Sequence, residues 1–314
     1  MNSKRNGEAL EKGRPTHEEV WLLGQPPLSE FLDFVRDKVS DAEESDAATL
    51  TDEWRRANDY YQELEDLESG IADQAQLREL DPKLAPLAAE VLSDPYCRET
   101  YDTVPVTIGV VELDRLIAFQ KCVTWTYVDR VKSSLANALD PEALFRFCLP
   151  IGERETPVRI RRGGSQRYLF KSDSMDMRYH GTRVFSPAQI RDHDTHGPVA
   201  GVVGAVVGFG SNLLNVIRAD RRMLLHDGYH RACALREMGV THAPAIIQTV
   251  TRADELEVIA RSAISKDPDF YFRSARPPLL KDFFDPRIRR VLRTAKMSRV
   301  VEVTYKVREF TELE

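Results

Sequence analysis

One stretch of the sequence, residues 215–250, constrains the fold of this chain more than any other. Apolar pairs on either side of a charged turn predict a short β-hairpin over residues 215–225. Apolar residues then recur at three-to-four spacing and predict a helix over residues 229–238, which Gly239 ends in a left-handed conformation. Residues 244–250 are apolar and β-branched, so they predict a strand that returns to the sheet.

The junction between this hairpin and this helix carries candidate binding chemistry. Asp227 predicts an N-cap, because its carboxylate can accept a hydrogen bond from a first-turn N–H group, and Gly228 permits a tight turn. A helix N-terminus offers N–H groups and a partial positive charge that suit a phosphate. Tyr229, His230 and Arg231 open the helix, and the Arg231 guanidinium can donate two parallel bonds to a phosphate. The alternative is that Asp227 and Gly228 only cap and turn the chain.

These residues resemble the ParB/sulfiredoxin superfamily, in which a strand ends in a Gly-x-His/Arg-Arg box before a helix, a glycine and a further strand. Gly228 to Arg231 forms the box here, Gly239 ends the helix, and residues 243–247 form the strand. The resemblance implies an α+β fold with a small mixed-sheet core. It also implies that the box, with Asp227 before it, binds the phosphates of ATP or CTP, and that Mg²⁺ arrives with the nucleotide.

The sequence departs from each branch of this superfamily in a way that bears on function. Sulfiredoxins carry a cysteine where this chain has Tyr229, which argues against sulfinate reduction. Free-serine kinases carry a glutamate in the loop after their first strand, where this chain has Gln120 and Lys121. Glu112 and Asp114 lie slightly earlier in the sequence. No helix-turn-helix of the ParB type is evident downstream.

Two functions follow from the resemblance, and a third is its weakest extension. In the first, the protein is a kinase-like phosphotransferase or an NTPase, His230 holds phosphate, and Glu112 or Asp114 is the catalytic base that accepts a hydroxyl proton. In the second, it is a nucleotide-sensing regulatory or DNA-partition-type module without catalysis. In the third, it is a nuclease, whose metal would need a carboxylate pair such as Asp192 and Asp194.

Composition argues against several classes of protein. The 314 residues carry a net charge of -6, with an isoelectric point near 5.8, which argues against a general nucleic-acid coat. Four scattered cysteines without a Cys-x-x-Cys pair predict free thiols rather than a disulfide framework. Residues 1–15 lack the apolar core of a signal peptide, and no apolar run reaches about 18 residues. We therefore expect a cytoplasmic protein with no membrane partner.

The chain divides into a disordered tail over residues 1–17, a helical N-terminal region over residues 18–100, and the superfamily domain over residues 101–250. An insertion of about residues 151–205 interrupts that domain, and residues 251–314 add a C-terminal helix and strand. The helical region carries no evident chemistry, so we expect it to pack on the following domain or on a partner. A homodimer is one candidate assembly.

Several segments outside the central stretch carry specific expectations. Residues 51–71 predict a long helix with its first residue as N-cap, and residues 114–139 predict a largely helical segment. Residues 251–264 and 288–292 predict two further helices, while the alternating residues 299–310 predict a strand.

Charged regions offer candidate surfaces. The insertion predicts an arginine-rich hairpin over residues 158–170, for which a solvated surface is the simpler interpretation. The densest basic run lies between Arg287 and Arg299 and is the best candidate for binding a phosphate, an acidic partner or nucleic acid. An exposed helix face is an equal alternative for this run. Residues 192–196 place histidine beside aspartate, yet we expect no dedicated metal site.

Overall fold

A computed structural model of the protein describes residues 16–39, 46–135, 140–152, 157–189, 197–210 and 212–313. These residues belong to two compact units. The main unit comprises Met1–Ile151 with Asn212–Lys296, and the second unit comprises Gly152–Ser211 with Met297–Glu314. The chain combines helices with several small sheets, so the predicted α+β class is confirmed.

Helices and strands alternate irregularly along the chain. The α-helices are α1 Leu28–Lys38, α2 Ala47–Leu67, α3 Ala85–Ser93, α4 Pro95–Thr100, α5 Trp125–Ser133, α6 Pro141–Cys148, α7 Tyr229–Glu237, α8 Ala253–Ile259, α9 Ser262–Ser265 and α10 Pro268–Phe272. The strands are β1 Thr16–Leu22, β2 Leu77–Arg78, β3 Val106–Glu112, β4 Ile117–Ala118, β5 Cys122–Thr124, β6 Arg159–Gly164, β7 Arg167–Ser172, β8 Met177–Phe185, β9 Val202–Phe209, β10 Asn215–Ala219, β11 Arg222–Asp227, β12 His242–Val250, β13 Arg289–Ala295 and β14 Arg299–Thr304. Short 3-10 helices occupy Ile71–Gln74, Pro82–Leu84, Leu113–Arg115, Pro187–Gln189 and Leu280–Phe284.

The main unit is built on a six-stranded mixed sheet of order β2-β3-β12-β10-β11-β4. β10 and β11 form the predicted hairpin, and α7 then carries the chain back so that β12 lies parallel to β10. β4 runs parallel to β11 at one edge, while β3 runs antiparallel to β12. The predicted order of hairpin, helix and strand over residues 215–250 is therefore confirmed.

The α7 helix is buried through most of its length and ends where the sequence predicts. Its small and apolar residues belong to the main hydrophobic core: Ala232, Cys233, Ala234 and Leu235. At its C-terminus Gly239 adopts a left-handed φ of +82°. The Gly239 N–H donates to the Arg236 carbonyl, and the Val240 N–H donates to the Leu235 carbonyl, each at 3.0 Å. This is the Schellman arrangement that satisfies the last carbonyls of a helix.

The N-terminal region contains two strands, β1 and β2, as well as helices, which corrects the expectation for residues 18–100. The described chain starts with β1, whose first two residues belonged to the predicted tail; residues 1–15 lie outside the described part. β1 pairs with β13 on one side and β5 on the other, both antiparallel. α2 starts at Ala47, and the Asp46 carboxylate accepts the Thr49 N–H at 3.0 Å, so the predicted cap, Thr51, is wrong.

Three predicted helices differ from the structure, and strand pairing with partners distant in sequence accounts for two of them. Residues 288–292 belong mostly to β13, which pairs with β1 from Arg289 to Ala295, so backbone pairing overrides the local helical pattern. Residues 114–139 contain β4 and β5 before α5 begins. Residues 251–264 hold two short helices, α8 and α9, in place of one.

The second unit consists mainly of strands. β8 pairs with β9 as a two-stranded antiparallel sheet, and β14-β7-β6 form a three-stranded one. The predicted arginine-rich hairpin is confirmed as β6 and β7. The C-terminal strand predicted over residues 299–310 is confirmed as β14 for its first part only, because β14 ends at Thr304. This unit adds residues 297–314 to Gly152–Ser211, whereas the sequence placed them in the extension over residues 251–314.

The four cysteines, Cys97, Cys122, Cys148 and Cys233, are all free thiols. Burial raises the pKa of Cys97 to about 11 and that of Cys148 to about 12, which keeps both thiols protonated and unreactive. Among the helices of the described residues, none has the length and hydropathy to cross a membrane.

A buried ion network ties α2 to the C-terminal part of the main unit. Arg276, which is 1% exposed, donates to the Asp282 carboxylate at 2.6 and 2.7 Å and to Glu68 at 3.0 Å. The Tyr61 hydroxyl also donates to Asp282, at 3.1 Å. Tyr61 and Glu68 belong to α2 and its C-cap, whereas Arg276 and Asp282 lie six residues apart in the C-terminal part, so the network fixes how these two segments pack. Removing Arg276 or Asp282 would leave the charge of the other without its closest partner inside the protein.

We predict that Arg276→Met lowers the free energy of unfolding of the main unit by about 3–5 kcal/mol, because it leaves the buried Asp282 carboxylate without its cation. The matched control is Arg273→Met, since Arg273 has a side chain 79% exposed and pairs with Asp269 at 3.3 Å; its cost is about 0.5 kcal/mol or less. Urea unfolding followed by tryptophan fluorescence measures both, because all three tryptophans lie in the main unit. Equal shifts in the two variants would contradict this account.

Candidate functional site

Two parallel strands of the main sheet end side by side at one edge. β4 pairs with β11 in the register Leu225 opposite Ala118, so residues 119–121 leave the sheet beside Asp227 and Gly228. Ligands of open α/β sheets bind in the crevice beyond the carboxyl ends of strands. The Gly228–Arg231 box and the loop at residues 119–121 therefore share the edge at which a ligand site is expected.

Gly228 turns the chain from β11 into α7 and occupies the N-cap position, with φ of +90°. A Cβ at this position would lie 2.9 Å from both Cα and Cδ1 of Leu214, which no side chain tolerates. The prediction that Asp227 is the N-cap is wrong: its Oδ1 accepts the Gly228 N–H at 2.8 Å, one residue before the helix. In general, the first turn of an α-helix has N–H groups that the helix's own carbonyls do not accept.

Tyr229 points inward and connects the box to the neighbouring loop. The side chain is 2% exposed, and its hydroxyl oxygen accepts the Phe119 N–H at 2.9 Å and the Gln120 N–H at 3.4 Å. Burial raises the pKa of this phenol well above its usual range, so the hydroxyl stays neutral. Tyr229 thus holds the loop at residues 119–121 in place and supplies no exposed group to a ligand.

Arg231 is also turned inward. It is 7% exposed, and its Nη1 donates to both the backbone carbonyl and the side-chain oxygen of Asn212. The guanidinium carbon lies 5.7 Å from the centre of the Phe147 ring. These contacts bind Arg231 to the segment that leads into β10. The structure therefore gives the predicted phosphate ligand a role in fixing the turn.

His230 is the half-buried member of the box. Its ring lies 5.6 Å from that of Tyr127 on α5, and Tyr127 stacks at 5.3 Å on His17 of β1. The rings of β1, α5 and α7 thus form a row, in which Tyr127 contacts both histidines. Aromatic contacts of this kind restrict the orientation of the imidazole.

His226, which the sequence did not single out as a site residue, lies at the same edge. Its Nδ1 is 3.0 Å from Oδ1 of Asn215, and its ring centre is 6.2 Å from that of Phe119. Burial, and then the charge of Arg261, lowers the pKa of His226 to about 4. The imidazole is therefore neutral near pH 7, and Nε2 is buried without a hydrogen-bond partner among the described residues.

A cavity of about 520 Å³ begins at the loop. Its walls come from residues 22–30, 118–121 and 263–278, which are far apart in the sequence. Three aromatic rings line it, those of Phe119, Phe270 and Tyr271. The volume lies within the range of about 300–1,000 Å³ typical of small-molecule sites.

Several polar groups also face this cavity. Gln25 Oε1 is buried and has no hydrogen-bond partner within the described part of the chain. Lys121 pairs with Glu30, whereas Lys266 has no ion pair among the described residues. The cavity therefore combines aromatic walls with an unused acceptor and a cation at its exposed rim.

The two predicted catalytic bases lie at the opposite end of α7. The Asp114 carboxylate pairs with Arg236 in the last turn of the helix, and Glu112 pairs with Arg115 at 3.3 Å. In the sheet Glu112 lies opposite His242, beyond the helix C-terminus. A nine-residue helix is about 13 Å long, so the geometry separates both carboxylates from the box.

No dedicated metal site is evident: no group of three or more histidine, cysteine, aspartate or glutamate side chains could hold a metal ion among the residues that the structure describes. Residues 192–196, which include the proposed nuclease pair Asp192 and Asp194, lie outside those residues.

Comparison of the chain with protein-family models, with curated proteins and with solved structures finds no match. The resemblance to the ParB/sulfiredoxin superfamily therefore rests on the Gly228–Arg231 box and on the order of the elements around it.

We predict that Gly228→Ala lowers the free energy of unfolding by about 2–4 kcal/mol, because it adds a collision with Leu214 to the cost of a left-handed alanine. Gly239→Ala is the matched control, with φ of +82° and no atom within 4 Å of the new Cβ. This control should lower the free energy of unfolding by only about 1–2 kcal/mol, the cost of a left-handed backbone at alanine. Urea unfolding of both variants measures the difference, and an equal cost would show that Leu214 does not restrict the turn.

Proposed function

We propose that this protein binds a nucleotide, ATP or CTP, at the edge where β4 and β11 end. The observation that carries the proposal is the convergence of three features: the first turn of α7, the loop at residues 119–121, and the cavity that begins at this loop. An anion-binding helix terminus beside an aromatic-lined cavity suits a ligand with a charged end and a flat end.

In this proposal the phosphates lie at the first turn of α7. The N–H groups there act with the helix dipole, and His230 supplies a side-chain donor. Arg231 keeps its bonds to Asn212 and acts as a positioning residue. Mg²⁺ arrives on the phosphates, and the carboxylate in this turn that can contact it is that of Asp227.

The nucleoside enters the cavity. Phe119, Phe270 and Tyr271 offer ring faces or edges to a base, and the buried Gln25 Oε1 can accept a hydrogen bond from an exocyclic amino group. Both adenine and cytosine carry such a group. Lys266 at the rim can approach an anionic or hydroxyl group of the ligand.

We favour nucleotide sensing over phosphotransfer or hydrolysis. A general base must reach its proton within hydrogen-bond distance, directly or through one water. The pairing of Asp114 with Arg236 and of Glu112 with Arg115 holds the two predicted bases at the far end of α7.

We place the protein in the cytoplasm, because nucleotides and the four free cysteines fit a reducing compartment.

The test is isothermal titration of the full chain with ATP, ADP, CTP and GTP, each with and without Mg²⁺. We expect one binding site, and His230→Ala should weaken the affinity about tenfold, because it removes a charge-assisted or neutral hydrogen bond to phosphate. His242→Ala is the matched control: His242 is a half-buried histidine at the other end of α7. The nucleotide affinity of His242→Ala should stay within about twofold of that of the unchanged protein.

Two results would overturn the proposal. If none of the nucleotides binds, the proposed function is wrong. If His230→Ala and His242→Ala lose affinity equally, the proposed location of the site is wrong. Phosphate release that Glu112→Gln or Asp114→Asn abolishes would instead support the catalytic alternative, in which one of these carboxylates is the base.

A further inference from the structure

A second concave surface of the main unit is rich in arginine and shares no lining residue with the cavity described above. It is a groove of about 690 Å³ between α2 and the segment that leads into β13. Four arginines and two glutamates line it: Arg56, Arg287, Arg289 and Arg290, with Glu53 and Glu63. Cations outnumber anions in the groove, although the whole chain carries a net charge of -6.

Two of these arginines are held in place, Arg289 by a backbone carbonyl and a ring, and Arg287 by a ring and the Asp285 carboxylate. The Arg289 Nη1 donates to the Phe283 carbonyl at 2.9 Å, and its guanidinium carbon lies 5.9 Å from the Trp125 ring. The Arg287 guanidinium lies 3.8 Å above the Tyr60 ring and also pairs with Asp285 at 3.1 Å. Pre-oriented guanidinium groups lose little freedom when they bind an anion.

The remaining arginines leave donors available. Arg290 pairs through Nη1 with Glu53, but its Nε is buried and has no acceptor among the described residues. Arg56 makes one long bond, from Nε to the Asp52 carbonyl of its own helix at 3.4 Å. A buried guanidinium donor without an acceptor is costly. The two terminal nitrogens of Arg56 make no hydrogen bond among the described residues, so they are available to an anion.

We propose that this groove binds a small polyanion, a molecule that carries two or more phosphate or carboxylate groups. The guanidinium fork matches both groups with two parallel bonds. The volume of the groove matches a compact metabolite, and the two glutamates together with the acidic chain disfavour a long polyanion. The basic run that begins at Arg287 thus contributes to a ligand site distinct from the proposed nucleotide site.

The test is isothermal titration of the full chain with inorganic tripolyphosphate and, separately, with citrate at matched ionic strength. We expect binding of at least one of the two, and the comparison identifies the preferred group. The double variant Arg56→Gln/Arg289→Gln should weaken the affinity for the bound anion about tenfold or more. The matched control, Arg55→Gln/Arg273→Gln, removes two exposed arginines that do not line the groove and should change the affinity less than about twofold.

A variant that should strengthen binding is also needed, because a folding defect could only weaken it. Glu63 lines the groove and makes no hydrogen bond or ion pair among the described residues, so Glu63→Gln should tighten binding by roughly twofold to fivefold. Failure of both anions to bind, or equal loss in the groove and control variants, would refute the proposal. So would tripolyphosphate binding that His230→Ala abolishes and the groove variant leaves unchanged, because the anion would then lie at α7. Nucleotide binding should persist in the groove variant.

Discussion

The turn at Gly228 is the constraint on which the central part of this structure depends. The chain leaves β11 and enters α7 with a left-handed backbone, pressed so closely on Leu214 that a Cβ would lie 2.9 Å from its Cα. Only glycine meets both conditions without strain. This approach places Tyr229 under the adjoining loop and Arg231 against Asn212. A displaced turn would break both contacts and alter the edge where β4 and β11 end.

The same turn brings distant parts of the chain to one place. Tyr229 accepts hydrogen bonds from the backbone of Phe119 and Gln120, and this loop forms one wall of the cavity. The other walls come from residues 22–30 and 263–278. A change at the first turn of α7 therefore has a short physical route to the N-terminal helices.

The elements around the box were predictable because their signals are local. The turn between β10 and β11, the helical spacing of α7 and the glycine at its end all lie within about 35 residues, so short-range rules suffice. β13 was not predictable in this way, because its form depends on pairing with β1, whose residues lie more than 250 positions earlier. The N-cap of α7 was predicted wrongly because Asp227 is a typical cap residue. The N-cap is Gly228 instead, since the contact with Leu214 requires a glycine at that position. The inward orientation of Arg231, the pairing of Asp114 with Arg236 and the cavity depend on tertiary packing that spacing does not encode.

The central claim is that phosphate binds at the first turn of α7. The most direct measurement is the amide chemical shift of Tyr229, His230 and Arg231, followed by NMR as ATP or CTP with Mg²⁺ is added to the deuterated full chain. The account predicts that these three amides shift together with Phe119 and Gln120 along one saturable curve, while the amides near Glu112 and Asp114 stay unchanged. A nucleotide that binds but leaves the amides of residues 229–231 unmoved would contradict the claim.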